Sequence, residues 1–133
     1  MHYLLDTNIC IYLIKQRPKQ VLQEFEKHSP KDVAISSITK FELEYGAEKS
    51  GAKDRSSKAL KKFLLPLTVV DFDKEAALKA ASVRARLEKK GTPIGAYDLL
   101  IAGVALARCM CLVTNNVREF QRIEELQIEN WVE

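Results

Sequence analysis

The sequence has few of the residues that build disulfide scaffolds, zinc sites and histidine-based active sites. It contains three cysteines and two histidines. An odd number of cysteines does not fit a disulfide framework, and Cys109 and Cys111 have the wrong spacing for a zinc knuckle. His2 and His28 are too isolated in the sequence to complete a metal site. We therefore expect Cys10, Cys109 and Cys111 to be small, buried, apolar side chains.

Long apolar runs and a signal sequence are also missing. No apolar stretch reaches the length of a membrane span, and the N-terminus lacks the cationic region, apolar region and cleavage site of a signal peptide. These absences predict a cytoplasmic protein that does not bind membranes. A chain of 133 residues predicts one domain, over residues 1–133, that can bury a core without disulfides or a structural metal.

Neither sign of charge is in large excess. The net charge is +3, which is too weak to indicate a nucleic-acid-binding protein by itself. Basic residues nevertheless crowd two stretches, residues 49–62 and 84–90. Each stretch has the composition of a solvated helix face, and together they allow a polyanionic partner.

Short apolar strands alternate with helices along the whole chain. Strands are predicted at residues 2–5, 33–36, 68–70 and 111–114, with a marginal one at 126–128. Helices are predicted at residues 7–15, 18–28, 38–49, 74–90 and 96–108, with a basic helix ending near residue 65. This alternation is typical of an α/β fold whose mostly parallel sheet is covered on both faces.

Two acidic residues stand where the pattern calls for apolar groups. Asp6 directly follows the first strand, at the carboxyl edge of the sheet, where open α/β sheets bind ligands. Glu42 interrupts a helical stripe of Ile38, Phe41 and Tyr45, which we expect to face the core. A carboxylate on such a stripe is costly unless a salt bridge or a cation compensates it. A helix cap at Asp6 and a salt bridge at Glu42 are the alternatives to a functional site.

A third acid, Asp98, is the only charged residue of the segment "YDLLIAGVALA". It lies in the first turn of an apolar helix, where the helix dipole tolerates an anion, so plain capping is the alternative. If Asp6, Glu42 and Asp98 converge, their mutual repulsion raises the pKa of each carboxyl group. Hard oxygen ligands without histidine or cysteine suit Mg²⁺ or Mn²⁺, which relieves that repulsion.

A fourth polar group follows the last clear strand. Thr114, Asn115 and Asn116 could hold a metal-bound water or a phosphate, and Glu119 lies close enough in sequence to add a carboxylate. A plain Asn-Asn turn explains the same residues equally well.

Four segments, taken in order, resemble those of one family. They are "LLDTNICIYLIK", "ISSITKFELEYGAEKS", "GTPIGAYDLLIAGVAL" and "LVTNNVREFQRI". Over essentially its full length the chain resembles PIN-domain ribonucleases, specifically the VapC-type toxins of bacterial type II toxin–antitoxin pairs. Each segment alone is a weak signal, whereas four in the family's order and at its approximate spacing are a strong one.

The resemblance implies a three-layer α/β/α sandwich and an endoribonuclease dependent on Mg²⁺ or Mn²⁺. It implies a structured RNA substrate, often a tRNA, and inhibition by a VapB-type antitoxin whose C-terminal segment plugs the acidic pocket. A homodimer is common among such toxins. The basic residues that would hold RNA are Lys49, Lys53, Arg84 and Arg86.

Residue by residue, the resemblance makes Asp6, Glu42 and Asp98 the catalytic acids and metal ligands. Positioning roles fall to Thr7, Asn8 and Thr114. The fourth acidic position departs from the family pattern, because many PIN domains have an aspartate where this chain has Asn116. A neutral amide weakens the binding of a second metal ion more than that of the first, and Glu119 partly restores the negative charge. One well-held ion is therefore expected.

Two other functions remain open from the sequence. A phosphatase of the haloacid-dehalogenase type also has an aspartate after its first strand, but it needs a second acid at the position of Asn8 and a lysine that the sequence does not place. A PIN domain that has lost catalysis and only binds its partner is the other alternative. Asn116 favours that alternative, and the three intact acids oppose it.

Overall fold

The computed structural model describes residues 2–132, which form a five-stranded sheet between layers of helices. The strands are β1 Tyr3–Leu5, β2 Val33–Ser36, β3 Thr68–Val70, β4 Cys111–Val113 and β5 Ile128–Glu129. Their order across the sheet is β3-β2-β1-β4-β5, and every neighbouring pair is parallel. The strand β1 is therefore central, and the chain leaves it at the carboxyl edge of the sheet.

The helices begin and end close to the residues that the sequence predicts. They are α1 Thr7–Lys15, α2 Lys19–Glu26, α3 Ser37–Glu48, α4 Lys53–Leu64, α5 Lys74–Lys89, α6 Ala96–Ala107 and α7 Val117–Phe120. Local capping explains several starts: Asp6, Ser36 and Asp73 each accept a backbone N–H at the first turn of the following helix.

Two apolar cores lie on the two faces of the sheet. Successive strand residues point to opposite faces, so Leu4 joins the core beneath α5 and α6, whereas Leu5 joins the core beneath α1 to α4. The helices α5 and α6 approach closely at Gly103, where a Cβ atom would lie only 2.7 Å from the carbonyl oxygen of Ala76. The predicted three-layer α/β/α sandwich is confirmed.

The orientation of α3 corrects one sequence-based expectation. Its core-facing residues are Thr39, Leu43 and Ala47, whereas Phe41 and Tyr45 are 53% and 58% exposed. The expectation that these two aromatic residues face the core was therefore wrong. Glu42 does not interrupt a core stripe, because it lies on the rim between the buried face of α3 and its aromatic face.

The cysteines follow the expectation only in part. All three are free, and Cys10 and Cys111 are buried, but Cys109 is exposed in the turn after α6. Its backbone has a positive φ of 52°, which places the side chain on a tight reversal and not in a regular element. Among residues 2–132, no helix is both long and apolar enough to cross a membrane.

Candidate active site

Asp6 is held rigidly at the carboxyl end of the central strand. Its side chain is 3% exposed, and its two oxygens accept different donors. The backbone N–H of Thr7 donates to Oδ1 at 2.8 Å, and the hydroxyl of Thr114 donates to Oδ2 at 2.7 Å. Burial raises the pKa of Asp6, the two hydrogen bonds lower it, and the charge of Glu42 raises it further. A buried acid facing a second acid is a costly arrangement without a compensating charge.

Glu42 reaches the same place from α3. The hydroxyl of Thr7 lies 2.7 Å from Oε1 of Glu42 and 3.0 Å from the hydroxyl of Thr39. A hydroxyl has one proton, so Thr7 donates it to the charged carboxylate, the stronger acceptor. Within residues 2–132, Glu42 forms no salt bridge with a lysine or arginine. The alternative of an inward-reaching cation at Glu42 therefore finds no support.

Asp98 lies in the first turn of α6, as the sequence predicts. Burial, followed by the charges of Asp6, Glu119 and Glu42, raises its pKa from 3.8 to about 6. The side-chain amide of Asn116 approaches Oδ2 of Asp98 at 3.4 Å and lowers the pKa. Plain capping does not account for an acid that three other acids destabilise in its charged form.

The loop before α6 brings Glu119 into the cluster. The backbone N–H of Gly95 donates to Oε1 of Glu119 at 3.1 Å. A Cβ atom on Gly95 would lie 3.5 Å from Oδ2 of Asp98 and 4.0 Å from Oε1 of Glu119. The loop backbone therefore passes beside both carboxylates, which couples the position of α7 to the start of α6.

The polar residues after β4 have distinct places. Thr114 is fully buried, and besides donating to Asp6 it accepts the backbone N–H of Asn116 at 2.9 Å. Asn116 thus faces the acids, whereas Asn115 is exposed and approaches Asn130 at 3.5 Å. The turn that explains these residues structurally also positions two of them toward the acidic cluster.

A cavity of about 620 Å³ opens over the acids, and Asp6, Glu42 and Asp98 all contribute to its wall. Asn8 and Lys49 also line it, as do three aromatic residues, Phe41, Tyr45 and Tyr97. The sequence did not place Phe41 and Tyr45 here, since their apolar character predicted a core position. The available signal was a second stripe on α3, formed by Thr39, Leu43 and Ala47, which could have been assigned to the core instead.

The basic residues proposed from the sequence do not share one surface. Lys49 lines the cavity, and its Nζ lies 5.0 Å from the centre of the Tyr45 ring. Ion pairs engage the others: Lys53 with Glu48 at 2.6 Å, Arg84 with Glu88 at 3.0 Å and Arg86 with Glu125 at 2.7 Å. None of these three lines the cavity that holds the acids.

The donor set fits a hard divalent cation in charge and chemistry. Carboxylate and amide oxygens line the cavity, and burial together with the neighbouring acids raises the pKa of Asp6 and Asp98, which a bound cation would oppose. In the part of the chain that the structure describes, no three acidic, histidine or cysteine side chains lie close enough together to coordinate one ion directly. The fit is therefore one of charge and ligand type.

Comparison with known proteins relates the whole chain to one family. The sequence profile described as the PIN domain matches residues 3–126. The tRNA(fMet)-specific endonuclease VapC of Salmonella typhimurium is 45% identical over 131 residues, which are 98% of each chain. Ribonuclease VapC2 of Haemophilus influenzae is 43% identical over 132 residues, which are 99% of each chain.

The fold also agrees with a solved structure. The crystal structure of VapBC2 from Rickettsia felis, bound to a DNA fragment from its promoter, has a TM-score of 0.92 and 42% sequence identity. The similarity covers 98% of this chain and 99% of that chain. The likeness therefore extends over nearly all the helices and strands of the fold.

Proposed function

The chain belongs to the PIN domain family, and from that premise we propose that it is a VapC-type endoribonuclease toxin that hydrolyses phosphodiester bonds in a structured RNA of the tRNA class. The convergence of Asp6, Glu42 and Asp98 in one cavity carries this proposal. Full-length similarity to proteins named as ribonucleases supports the reaction, and the name of the Salmonella relative supports tRNA as the substrate class.

Mg²⁺ or Mn²⁺ is the proposed cofactor, with Asp6, Asp98 and Glu42 as the residues that would hold it, directly or through water. When bound, such an ion supplies positive charge that polarises a phosphoryl oxygen and favours ionisation of water. Asn116 contributes an amide where a fourth carboxylate would add charge, and Glu119 is tied to Gly95. We therefore propose one well-held ion.

The side chains around the cavity have separate roles in the proposed reaction. Asp6 is fixed by Thr7 and Thr114, so its carboxylate keeps one orientation throughout the reaction. Glu42, oriented by the Thr7 hydroxyl, accepts a proton from the attacking water. In-line attack of water on phosphorus breaks the bond to the 3′ oxygen and leaves a 5′-phosphate and a 3′-hydroxyl. The ribose 2′-hydroxyl is not the nucleophile, so the reaction needs no pair of histidines.

A VapB-type antitoxin is the proposed partner, and its C-terminal segment would enter the acidic cavity to block RNA. The VapBC2 structure from Rickettsia felis supports this pairing. We further propose that the toxin is a homodimer within that complex and that it acts in the cytoplasm, where its RNA substrate is available.

A digest of purified tRNA tests the reaction and its cofactor. The purified toxin should cleave in Mn²⁺ or Mg²⁺ and stop in excess EDTA, and the products should carry 5′-phosphates. Glu42→Gln should lose about 10²- to 10⁴-fold in rate, which is the usual contribution of a positioned general base. Glu44→Gln is the matched control, since Glu44 lies on the same helix but pairs with Lys40 at 2.8 Å. Undiminished cleavage in EDTA would contradict the proposal.

The binding-only alternative has one structural argument in its favour, which is the neutral Asn116 at the fourth position. The same digest decides between the two functions, because a binding module would retain RNA or antitoxin without producing new RNA ends. A haloacid-dehalogenase reaction would instead leave phosphate covalently attached to Asp6, which mass spectrometry of the intact protein would detect.

A further inference from the structure

Three exposed aromatic side chains surround the acidic cavity. Phe41 and Tyr45, on α3, are 53% and 58% exposed, and Tyr97, on α6, is 48% exposed. A single exposed apolar residue is ordinary on a protein surface, but three that line one cavity are not. Their exposure costs solvation free energy, so a ligand that covers them when bound accounts for their placement.

The rings of Phe41 and Tyr97 form a pair between the two helices. Their centroids are 5.8 Å apart, and their planes are tilted by 60°. This edge-to-face arrangement is a favourable one for aromatic side chains, so each ring holds the other in place. Because about half of each side chain stays exposed, the pair presents ring surface to a ligand that enters the cavity.

The pair is also adjacent to the acids in sequence. Phe41 immediately precedes Glu42, and Tyr97 immediately precedes Asp98. A phosphodiester positioned between Glu42 and Asp98 would therefore bring the nucleotides on either side of it near the two rings. The packing of α3 against α6 therefore positions both the aromatic pair and the reacting phosphate.

The third aromatic residue has a cation beside it. The ammonium group of Lys49 lies 5.0 Å from the centre of the Tyr45 ring, a cation–π distance. Both residues line the cavity, Tyr45 one helical turn and Lys49 two turns beyond Phe41. This places a positive charge at the wall of an otherwise acidic cavity, where a neighbouring phosphate group of the substrate could bind.

We propose that Phe41 and Tyr97 stack unpaired bases next to the scissile phosphate, while Tyr45 and Lys49 hold the adjoining nucleotide. The inference rests on the proposed ribonuclease function and names the side chains that hold the nucleotides on either side of the cut. In a paired helix the bases are stacked on one another and cannot reach protein rings, whereas bases in loops and bulges can turn outward.

Binding of an RNA hairpin with 2-aminopurine in its unpaired loop tests the stacking. The Asp98→Asn variant serves as the background, so that the RNA is not cut during the measurement. The loop fluorescence should be quenched on binding, and Phe41→Ala or Tyr97→Ala should each weaken binding about tenfold to a hundredfold, as expected for loss of one stacked base. The same strand annealed to its complement should bind weakly and should not respond to either substitution.

Conservative variants separate stacking from general apolar contact. Tyr97→Phe keeps the ring and should retain affinity and quenching, whereas Phe41→Leu keeps the apolar bulk and should behave like Phe41→Ala. Leu65→Ala is the control, because Leu65 is 87% exposed and does not line the cavity. Circular dichroism checks that each variant is folded.

Three results would overturn the inference. The first is unchanged hairpin affinity and quenching in Phe41→Ala and Tyr97→Ala. The second is equal loss for the hairpin and the duplex. The third is a change in sedimentation of these variants without a change in RNA binding, which would assign the rings to contact between copies of the chain.

The outcomes also separate this inference from the proposed function. The ring variants are also tested with the native acids restored. If their cleavage stays metal-dependent and their KM is unchanged, the nuclease function would be supported and base stacking would be contradicted. If the protein with its native acids cuts no RNA but the loop fluorescence is still quenched on binding, base stacking would be supported and the nuclease function would be contradicted.

Discussion

The hydroxyl of Thr7 lies 2.7 Å from Oε1 of Glu42, although the two residues are 35 positions apart in the chain. The backbone N–H of the same threonine donates to Asp6. One residue therefore orients two acids from different elements, which links the end of β1 to the middle of α3.

Substitution of Thr7 by valine should impair the reaction without unfolding the protein. Valine has the same shape but cannot donate to Glu42, so the carboxylate loses its orientation. Loss of a hydrogen bond to a charged group corresponds to about 1.5–3 kcal/mol, so kcat should fall by roughly 10- to 100-fold. Steady-state cleavage of tRNA in Mn²⁺ measures the change. Thr7→Ser retains the hydroxyl and should retain most of the activity, and equal losses in both variants would contradict this role.

The raised pKa of Asp98 should make the metal-free protein less stable as the pH rises. Because the pKa is about 6 in the folded protein and 3.8 ordinarily, the folded state binds the proton more tightly than the unfolded chain. The contribution of Asp98 to the free energy of unfolding is therefore largest below pH 4 and is lost as the pH rises through 6. Urea unfolding in EDTA across this range checks the sign.

The same argument predicts the effect of Asp98→Asn. At pH 7 in EDTA the substitution should raise the free energy of unfolding by about 1 kcal/mol, a value reduced for solvent screening because Asp98 is half-buried. In saturating Mg²⁺ the gain should shrink or reverse, because only the native protein would gain binding free energy there. Asp71→Asn, an exposed acid outside the cavity, should change neither value. A variant less stable than the native protein in EDTA at pH 7 would refute the argument.

The sequence was most informative where local rules decide the structure. Runs such as Thr68-Val69-Val70 predicted strands, and Asp73 predicted the start of α5, because strand propensity and capping depend on near neighbours. Asp6 and Asp98 were singled out because an acid in an apolar context violates the pattern, whereas Glu42 was singled out on a stripe that does not face the core. Their convergence followed from the rule that parallel strands share one carboxyl edge.

The sequence was misleading for α3, where aromatic residues stay exposed and smaller residues are buried. Hydrophobic periodicity assumes that apolar residues face the core, so Phe41 and Tyr45 were placed inside, whereas the smaller Thr39 and Ala47 pack there. Nothing local distinguishes an aromatic ring kept for a ligand from one kept for packing. Hydrogen bonds across long sequence separations, such as Thr114 to Asp6, also need the tertiary fold before they can be seen.

Substitution of Gly103 by alanine should destabilise the fold. A Cβ atom there would lie 2.7 Å from the carbonyl oxygen of Ala76 and 2.9 Å from the Cβ of Ala80. The helices α5 and α6 would have to separate, and such overpacking costs about 1–3 kcal/mol. Gly46→Ala is the control, since nothing lies within 4 Å of its Cβ position, and it should stabilise α3 by about 0.5–1 kcal/mol. Urea midpoints at constant m-value measure both, and equal shifts would contradict the close approach.

Asn116→Asp places a further acid beside Asp98, and it should lower stability and strengthen metal binding. The amide of Asn116 lowers the pKa of Asp98, with Nδ2 at 3.4 Å from Oδ2. An aspartate would replace that donor by a negative charge, so the pKa of Asp98 should rise further and the metal-free protein should lose about 1 kcal/mol or less, because both side chains are partly exposed. The added charge should strengthen Mn²⁺ binding and favour a second ion.

Isothermal titration with Mn²⁺ measures this effect, and Asn116→Asp should show tighter binding or a higher stoichiometry than the native protein. Asn115→Asp is the control, because Asn115 is one residue away but turned toward Asn130, and it should leave both unchanged. Weaker Mn²⁺ binding in Asn116→Asp would mean that the amide itself serves the ion, and the proposed ligand set would then have to include it.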